Sequence, residues 1–265
     1  MKPNEVVPLL LTFNEAPNLP RTLGALGWAG RIVVVDSGST DGTREILAAD
    51  PRVEVRERRF DNHAAQWRFG FEQLRGTPWV LALDADFVVP GAFAAELEAL
   101  GDAADYDGFE AAFTYVSLGQ PLRGSILPPR LVLVRPQLVT VEQDGHAHRP
   151  RVPGKVGRLR ERFHHDDRKP LATWLAAQER YARLEAGKLL AARPAELPLT
   201  VRLRRRGWIT PWLLPLYVLF ARGGILDGRA GWYYALQRGL AEALIALRLL
   251  EARAGHSARK ETRNP

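Results

Sequence analysis

The sequence predicts an α/β protein built around a mostly parallel sheet flanked by helices, and two observations carry this prediction. In the first half of the chain, apolar runs of strand length alternate with segments of helical periodicity, as in proteins built from βαβ units. Polar or acidic residues follow the apolar runs, at the sheet edge where open parallel sheets bind ligands. With 46% hydrophobic residues among 265, the chain can also form a sizeable core.

Four strands are predicted in this half, separated by helices. Their predicted ends, in chain order, are Thr12, Asp36, Phe60 and Asp84. The predicted helices cover residues 14–26, 43–49 and 63–74. Because the carboxyl ends of parallel strands meet at one edge of a sheet, we expect the polar residues at these ends to lie together.

The pattern changes in the second half of the chain. Beyond Asp105 the regular alternation of strand-like and helix-like segments is replaced by mixed strands and loops. A helix is predicted from Pro170, because Leu171, Trp174 and Ala182 fall on one helical face. A second long helix is predicted over residues 232–252.

A basic cluster and an apolar aromatic stretch adjoin each other near the C-terminus. Residues 202–206 contain four arginines, and residues 209–221 are mostly apolar. Pro211 and Pro215 interrupt this stretch, which is also shorter than the roughly 20 residues that a membrane-spanning helix needs. We expect the segment to lie on a membrane surface or dip into it; the alternative is a helical hairpin packed on the sheet.

Composition narrows the range of partners and compartments. Lys and Arg outnumber Asp and Glu by 37 to 30, so the net charge of +7 favours a polyanionic partner. The basic cluster lies beside apolar residues and no nucleic-acid-binding module is recognisable, so a membrane surface is favoured over nucleic acid. The chain has no cysteine, which excludes disulfides and a cysteine nucleophile and fits a reducing compartment. Its first residues are typical of a strand rather than of a signal peptide, so we expect a cytoplasmic protein.

Two aspartates end the fourth predicted strand, in the sequence WVLALDADFVVP. Asp84 and Asp86 are two residues apart, so an extended backbone directs both side chains to the same side. Their mutual repulsion is removed by a divalent cation, and oxygen ligands favour a hard ion such as Mg²⁺ or Mn²⁺, which also binds phosphate. The alternative is that one aspartate caps a turn near Pro90.

The sequence also excludes two common phosphate-binding motifs. Neither GxGxxG nor GxxxxGK[ST] follows the first strand, which argues against NAD-dependent enzymes and P-loop kinases. Asp36 instead precedes the polar turn SGSTDGT, where it could form the turn or accept hydrogen bonds from a base or ribose.

Several motifs in order resemble the family 2 glycosyltransferases of the GT-A fold, particularly the bacterial members that build the lipopolysaccharide core. Over roughly the first 90 residues the resemblance rests on TFNEAPNLPRTL, VVVDSGSTDGT, NHAAQWRFGFE and WVLALDAD. Further along, HHDDRKPLATWLAAQERYARLEA and GGILDGRAGWYYAL are similar to later segments of those enzymes.

The resemblance implies a set of site residues. Asp86, together with Asp84, would form a DxD-type site for the metal and the diphosphate, and His165 would complete the metal site. The residues implied to bind the donor are Thr12, Glu15 and Asp36 for the nucleoside, Asp84 for the sugar or diphosphate, and Arg68 and Arg130 for the phosphates.

The resemblance also implies an inverting displacement, in which a side chain removes the proton of the acceptor hydroxyl. Members commonly have a His-Glu pair where the base lies, whereas this chain has VEQDGHAHR, which offers Glu142, Asp144, His146 and His148. We predict Asp144 as the base, with His146 next. A second departure is Ser37, where many members have an aspartate.

The implied organisation is a GT-A domain over residues 1–197, in which residues 1–105 bind the nucleotide sugar and residues 106–197 face the acceptor. Residues 198–265 would form a helical, membrane-associated segment. The implied partners are a nucleoside-diphosphate sugar, with a UDP-sugar expected, and a glycan or lipid-linked acceptor in lipopolysaccharide or other cell-envelope synthesis. The enzyme would act at the inner face of the cytoplasmic membrane, without nucleic acid.

Two other functions compete with this one. DADFVV also fits the nucleophile motif of haloacid dehalogenase-type phosphatases, but that motif belongs on the leading strand of the sheet, whereas here it ends the fourth. The chain could also be a non-catalytic adaptor that docks on membranes and senses a nucleotide sugar. The DxD motif argues against an adaptor, because binding alone needs no metal at the leaving group.

Overall fold

The fold is that of a computed structural model, which describes residues 1–145, 147–193 and 197–261. The chain divides into two compact units. The first unit comprises Met1–Pro121 and Leu127–Lys169, and the second comprises Leu122–Ile126 and the chain from Pro170 onwards.

The first unit is built on one curled sheet. Its strands are β1 Val6–Thr12, β2 Ile32–Asp36, β3 Val53–Glu57, β4 Trp79–Asp84, β5 Phe87–Val88, β6 Gly108–Ser117, β7 Gln120–Pro121, β8 Arg130–Val134 and β11 Val156–His165. They follow the order β3-β2-β1-β4-β8-β6-β11-β5, and β7 pairs with β6. Strands β3, β2, β1 and β4 are parallel, β8 runs antiparallel to both β4 and β6, and β11 runs parallel to β6.

Helices and a separate hairpin complete this unit. Strands β9 (Thr140–Asp144) and β10 (Ala147–Arg151) pair with each other in an antiparallel hairpin. The helices are α1 Leu19–Ala25, α2 Thr43–Ala48, α3 His63–Gln73 and α4 Phe93–Ala99.

Apolar residues on both faces of the parallel strands are buried, which explains their unbroken hydrophobic runs. Leu10 and Val34 pack in one core cluster, and their chain neighbours Leu9 and Val33 pack in a second cluster. Successive residues of a strand point to opposite faces, so each central strand contributes to two cores. The predicted mostly parallel sheet flanked by helices is confirmed.

Two predicted boundaries in this unit were wrong. The first helix begins at Leu19 rather than near Asn14, because Asn14 has a left-handed backbone (φ 54°) and residues 14–18 form a loop. The third strand ends at Glu57 rather than near Phe60: residues 58–60 lie outside the strand, and the Arg58 guanidinium donates to Gln66 (2.6 Å) and Asp61 (2.6 Å) of the segment that follows.

The second unit is helical. Helix α5 packs on α8 through Ala182, Ala186 and Leu189, which meet Ile245 and Leu249. Its elements are α5 Leu171–Ala191, α6 Leu199–Arg206, α7 Thr210–Leu216 with a π-helical turn Tyr217–Ala221, a 3-10 turn Gly224–Asp227, and α8 Gly228–Glu261.

Charged contacts also hold this unit together. Arg204, in the predicted basic cluster, lies between Glu185 of α5 (2.9 Å) and Glu242 of α8 (2.7 Å). This arginine is therefore part of the helix packing, unlike a freely solvated cation. None of the helices over residues 1–145, 147–193 and 197–261 is both long and apolar enough to cross a membrane.

Candidate active site

The ends of the parallel strands meet at one edge of the sheet. In the register of the sheet, Thr12 is the partner of Asp36 and Leu11 is the partner of Asp84. Thr12, Asp36 and Asp84, the polar residues that end three separate apolar runs, therefore lie at the same edge of the sheet, as the sequence predicted from the strand ends.

Asp36 is fully buried and holds the turn that follows β2. Its carboxylate accepts hydrogen bonds from the hydroxyls of Thr12 (2.8 Å) and Ser39 (2.5 Å), and from the backbone N–H groups of Gly38 (3.0 Å) and Ser39 (2.9 Å). Burial alone would raise the pKa of Asp36, but these donors hold it below its usual value. Asp36 is thus an ionised, hydrogen-bonded anchor of the SGSTDGT turn.

The loop after β1 is fastened to the same turn. The backbone N–H of Asn14 donates to the Ser39 hydroxyl (2.9 Å), and that of Glu15 donates to the Thr43 hydroxyl (2.7 Å). The Asn14 side chain accepts from the backbone N–H of Thr40 (2.9 Å). Two polar loops at the sheet edge therefore form one connected surface.

Glu15 extends this surface toward the segment after β11. Its carboxylate accepts from the Lys169 ammonium (2.5 Å) and from the Asn18 amide (2.8 Å). Burial raises the pKa of Glu15 to about 7, with Lys169 opposing the rise and Asp86 adding to it. Burial would lower the pKa of Lys169, but the nearby Glu15 raises it.

Asn18 ties this second connection together, and sequence reasoning missed it. The buried Asn18 amide also donates to Asp167 (3.0 Å), and its oxygen accepts from the backbone N–H of Arg168 (2.9 Å). The charged string HHDDRK gave no indication of this partner, because Asn18 and Arg168 are 150 positions apart.

The short strand β5 brings His165 to Asp86. After Asp86 the chain forms β5, which pairs antiparallel with the end of β11 so that Phe87 faces His165. His165 Nε2 then lies 2.9 Å from Asp86 Oδ2, while the neighbouring His164 is exposed. Of the two adjacent histidines, His165 is the one that reaches the DxD motif.

The Asp86 carboxylate makes this location favourable for positive charge, either on His165 or on a bound cation. Burial would lower the pKa of His165, but the hydrogen-bonded Asp86 carboxylate raises it. Asp86 Oδ1 and His165 Nδ1 are buried and have no hydrogen-bond partner among the described residues. A carboxylate and an imidazole that converge beside an unused carboxylate oxygen fit a divalent cation.

The protein itself supplies few ligands at this point. The described residues contain no group of three or more His, Cys, Asp or Glu that could hold a metal ion. Such a sparse site suits Mg²⁺, which commonly binds through one or two carboxylates and takes its other ligands from water and substrate phosphates.

Asp84, the other DxD aspartate, pairs with Arg130 at the start of β8. Arg130 Nη1 is 3.2 Å from Asp84 Oδ2, and the guanidinium lies over the ring of Phe87 at 5.5 Å. Burial alone would raise the pKa of Asp84, but Arg130 and nearby histidines hold it below its usual value. The predicted donor-binding residues Asp84 and Arg130 therefore occupy one location.

His148 on β10 was among the four residues that the sequence offered as a base, but it was not one of the two predicted. Its ring lies 5.3 Å from that of Trp67 and 6.3 Å from that of His63, both on α3. Burial lowers the pKa of His148 to about 4, although Asp84 opposes this shift. His148 is therefore a neutral imidazole at pH 7, close to Asp84.

Asp144, the first of the two residues predicted as the base, lies on the same hairpin. Asp144 is partly buried and forms an ion pair with Arg149 on the opposing strand. His146 lies outside the described residues. The hairpin is anchored to α3, since the Gln143 side chain accepts from the backbone N–H of Ala64 (3.0 Å).

The predicted phosphate ligand Arg68 is the exception to this clustering. It is exposed on α3, and its Nε donates to the carbonyl of Ala64 one turn earlier (3.3 Å). The structure brings the remaining described donor and metal residues to one edge of the sheet: Thr12, Glu15, Asp36, Asp84, Asp86, Arg130 and His165.

Residues 9–125 match the model of the family described as Glycosyl transferase family 2. This segment belongs to glycosyl transferase family 2. The resemblance noted in the sequence is confirmed at the level of the family, and the lipopolysaccharide-core subgroup stays a prediction. The matched glycosyltransferase segment contains Thr12, Glu15, Asp36, Arg68, Asp84 and Asp86.

Solved structures with a similar chain path include residues 1–349 of S. aureus TarS in complex with UDP-GlcNAc. That match has 14% identity and a TM-score of 0.49, and covers 96% of this chain and 92% of the TarS chain. The TarS complex with UDP matches over the same shares, with 14% identity and a TM-score of 0.48.

A 4-diphosphocytidyl-2C-methyl-D-erythritol synthase also matches, over 51% of this chain and 76% of its own, with 19% identity and a TM-score of 0.38. The comparison with curated proteins gave no match.

Proposed function

We propose that this family 2 glycosyltransferase moves a sugar, with inversion, from a nucleoside-diphosphate sugar to a glycan or lipid-linked acceptor. The observation that carries the proposal is the meeting of Asp86 with His165, and of Asp84 with Arg130, at the ends of parallel strands. A UDP-sugar is the expected donor.

The nucleoside is assigned to the loop after β1 and the turn after β2. Thr12 and Asp36 fix the turn. Hydroxyl groups of residues 39 and 43 then hold the backbone of residues 14 and 15. Glu15 is the predicted polar contact to the nucleoside, held in one orientation by Lys169 and Asn18. A surface fixed before binding loses less conformational entropy when the ligand arrives.

The diphosphate is assigned to the DxD aspartates and their partners. Asp86 and His165 would hold Mg²⁺ or Mn²⁺, which would offset the charge that develops on the leaving nucleoside diphosphate. Arg130 is placed to bind a phosphate oxygen beside Asp84, since its fork of N–H donors matches phosphate. Arg68 stays a predicted phosphate ligand that would have to leave its contact with Ala64.

The acceptor is assigned to the side of the β9–β10 hairpin. Asp144 is the proposed base, and it must part from Arg149 to take a proton from the acceptor hydroxyl. His146 is the second proposed base. His148, as a neutral imidazole, can orient a sugar hydroxyl through a hydrogen bond.

The acceptor class and location are also part of the proposal. A role in lipopolysaccharide or other cell-envelope synthesis, at the inner face of the cytoplasmic membrane, agrees with the basic net charge and with the exposed aromatic residues of the second unit. In such a role the donor would be soluble and the acceptor membrane-bound.

Donor binding can be tested by thermal shift with UDP, UDP-sugars and other nucleotide sugars, each with and without Mn²⁺. We expect one donor to raise the Tm and Mn²⁺ to enhance that rise, because a ligand of the folded state shifts the unfolding equilibrium. Asp86→Asn should remove the metal-dependent part, and the exposed Asp102→Asn should retain it. An equal metal-dependent rise in Asp86→Asn would contradict the metal assignment.

A further inference from the structure

Helix α8 has apolar residues on two opposite faces. One face is buried within the second unit and includes Tyr234, Ile245 and Leu249. The opposite face is a stripe of exposed apolar residues, Trp232, Leu236, Leu240, Leu247 and Leu250. At about 100° per residue these five positions fall within roughly 80° of one another, so they form one continuous stripe.

Helix α7 has a similar exposed stripe. Trp212, Leu213 and Leu216 are exposed within two turns, and Phe220 continues the stripe in the π-helical turn. Trp212 retains 76% of its accessible surface. Exposed aromatic and aliphatic side chains at this density are typical of an interaction surface, unlike the scattered apolar residues of an ordinary surface.

The two stripes open on the same side of the α7–α8 hairpin. The helices touch where Gly239 meets Pro211 and Pro215, and they run antiparallel because a short turn joins them. On each helix, the exposed stripe lies less than half a turn from this contact, measured around the helix axis in the sense in which the chain winds. For antiparallel helices the same sense of rotation leads to the same side.

The hairpin that carries these stripes is closely packed. A Cβ atom at Gly239 would lie 2.7 Å from Pro215 Cγ and 3.1 Å from the carbonyl oxygen of Pro211. A Cβ atom at Gly231 would lie 1.8 Å from the carbonyl oxygen of Gly224. Both glycines allow the backbones to approach closely, so the exposed stripes belong to a defined surface.

The charge near this surface has one dominant sign. From Leu199 to Arg229 the chain contains six arginines and a single acidic residue, Asp227. Arg204 is paired with Glu185 and Glu242, and the other five arginines still outnumber the acidic residue of this segment. Tryptophan and tyrosine concentrate where membranes meet water, and basic residues beside an apolar helical face attract anionic lipids. This combination matches a lipid surface better than a second copy of the same basic chain, which would bring like charges together.

We propose that the exposed face of the α7–α8 hairpin docks on a bilayer that contains anionic lipids. Its side chains enter the interface between headgroups and acyl chains, and the arginines of residues 199–229 other than Arg204 bind lipid phosphates. The hairpin lies in the membrane surface without crossing it, consistent with the described helices, of which none could span a membrane. This proposal rests on the proposed function in one respect only: a membrane-bound acceptor would explain why the protein docks on a membrane.

Vesicle co-sedimentation of the full-length protein tests this surface without donor or acceptor. One set of vesicles contains equal parts of phosphatidylcholine and phosphatidylglycerol, and the other contains phosphatidylcholine alone. We expect binding to the anionic vesicles, weaker binding at high salt because salt screens the arginines, and a blue shift of tryptophan fluorescence. A wild-type protein that ignores the anionic vesicles overturns the proposal.

A double variant and a matched control locate the surface. Trp212→Asp with Leu236→Asp should weaken partition to anionic vesicles at least about tenfold, because two side chains no longer enter the interface. Leu184→Asp is the control: Leu184 is 50% exposed on α5, on the side away from the residues that contact α8. An equal loss of vesicle binding in the double variant and in Leu184→Asp, or no loss in either, contradicts the assignment of the docking surface to the α7–α8 hairpin.

Folding and self-association are checked on the same proteins. Should the acidic double variant lower the Tm, Trp212→Gln with Leu236→Gln makes the same comparison with neutral side chains. A wild-type dimer that the double variant converts to a monomer, without any vesicle binding, would identify the surface as an interface between copies and overturn the lipid proposal. Vesicle binding without sugar transfer would leave this surface intact and count only against the proposed function.

Discussion

Asp36 holds the turn after β2 in place and also lies where the nucleoside of the donor is proposed to bind. It ends a buried strand, so burial alone would favour its neutral form, yet donors from Thr12, Gly38 and Ser39 keep the carboxylate ionised. The turn that it holds also carries the hydroxyl groups that fasten the loop after β1. Replacing this one side chain should therefore loosen both loops.

Asp36→Asn should lower the free energy of unfolding by about 1 to 3 kcal/mol at pH 7, because buried donors lose a charged acceptor. The folded pKa of Asp36 lies below its unfolded value, so its ionisation stabilises the protein above that unfolded value. This stabilisation is lost as the pH falls through the folded pKa. Urea unfolding at pH 7 and at pH 3 should thus show a gap between wild type and variant that narrows in acid.

The control is Asp102→Asn, at an exposed position, which should change unfolding little at either pH. A gap for Asp36→Asn that stays constant or widens in acid would count against an ionised Asp36.

Individual residues also mark the limit of what the sequence could predict. The positions of Asp36, Asp84 and Asp86 followed from the ends of apolar runs, since strand direction alone brings such residues together. Asn18 and His148 could not be found in this way, because their partners come from segments distant in the chain whose register is set by packing.

The elements of the sheet were predicted best where the hydrophobic pattern is continuous. Strands β1, β2 and β4 were located within a residue or two, because runs buried on both faces have a strong signal. The β5–β11 pairing was not predicted, since a strand of two residues has no periodicity. That pairing nevertheless decides that His165, rather than His164, meets Asp86.

Helix packing in the second unit depends on glycine. Gly239→Ala should lower the free energy of unfolding of this unit by about 1 to 3 kcal/mol, because the new methyl group would lie 2.7 Å from a proline ring that cannot rotate away. The matched control is Gly187→Ala in α5, where the added Cβ would meet no atom within 4 Å among the described residues beyond its chain neighbours and the backbone of its own helix. Gly187→Ala should instead stabilise by up to about 1 kcal/mol, since alanine favours helix.

Chemical denaturation followed by circular dichroism measures both glycine variants. Stabilisation by Gly239→Ala comparable to that of Gly187→Ala would disprove the close approach of α7 and α8.

At the scale of the whole molecule, the chain combines an α/β unit with a helical unit. The family match covers residues 9–125, which lie almost entirely in the first unit and contain the DxD motif. The predicted boundary at residue 197 lies just before the basic cluster. The structure groups α5 with the helices that follow, because its buried face packs on α8, a contact between distant segments that has no local signal in the sequence.

The central claim is that the edge of the sheet around Asp86 performs sugar transfer from a nucleotide donor. The most direct measurement is the release of nucleoside diphosphate from a panel of nucleotide sugars with Mn²⁺ and a cell-envelope glycolipid fraction. It compares wild type, Asp86→Asn and Asp102→Asn. We expect turnover with one donor, a loss of about a hundredfold or more in Asp86→Asn, and full activity in Asp102→Asn. Undiminished turnover in Asp86→Asn, or release of inorganic phosphate from simple phosphomonoesters without use of any nucleotide sugar, would contradict the account.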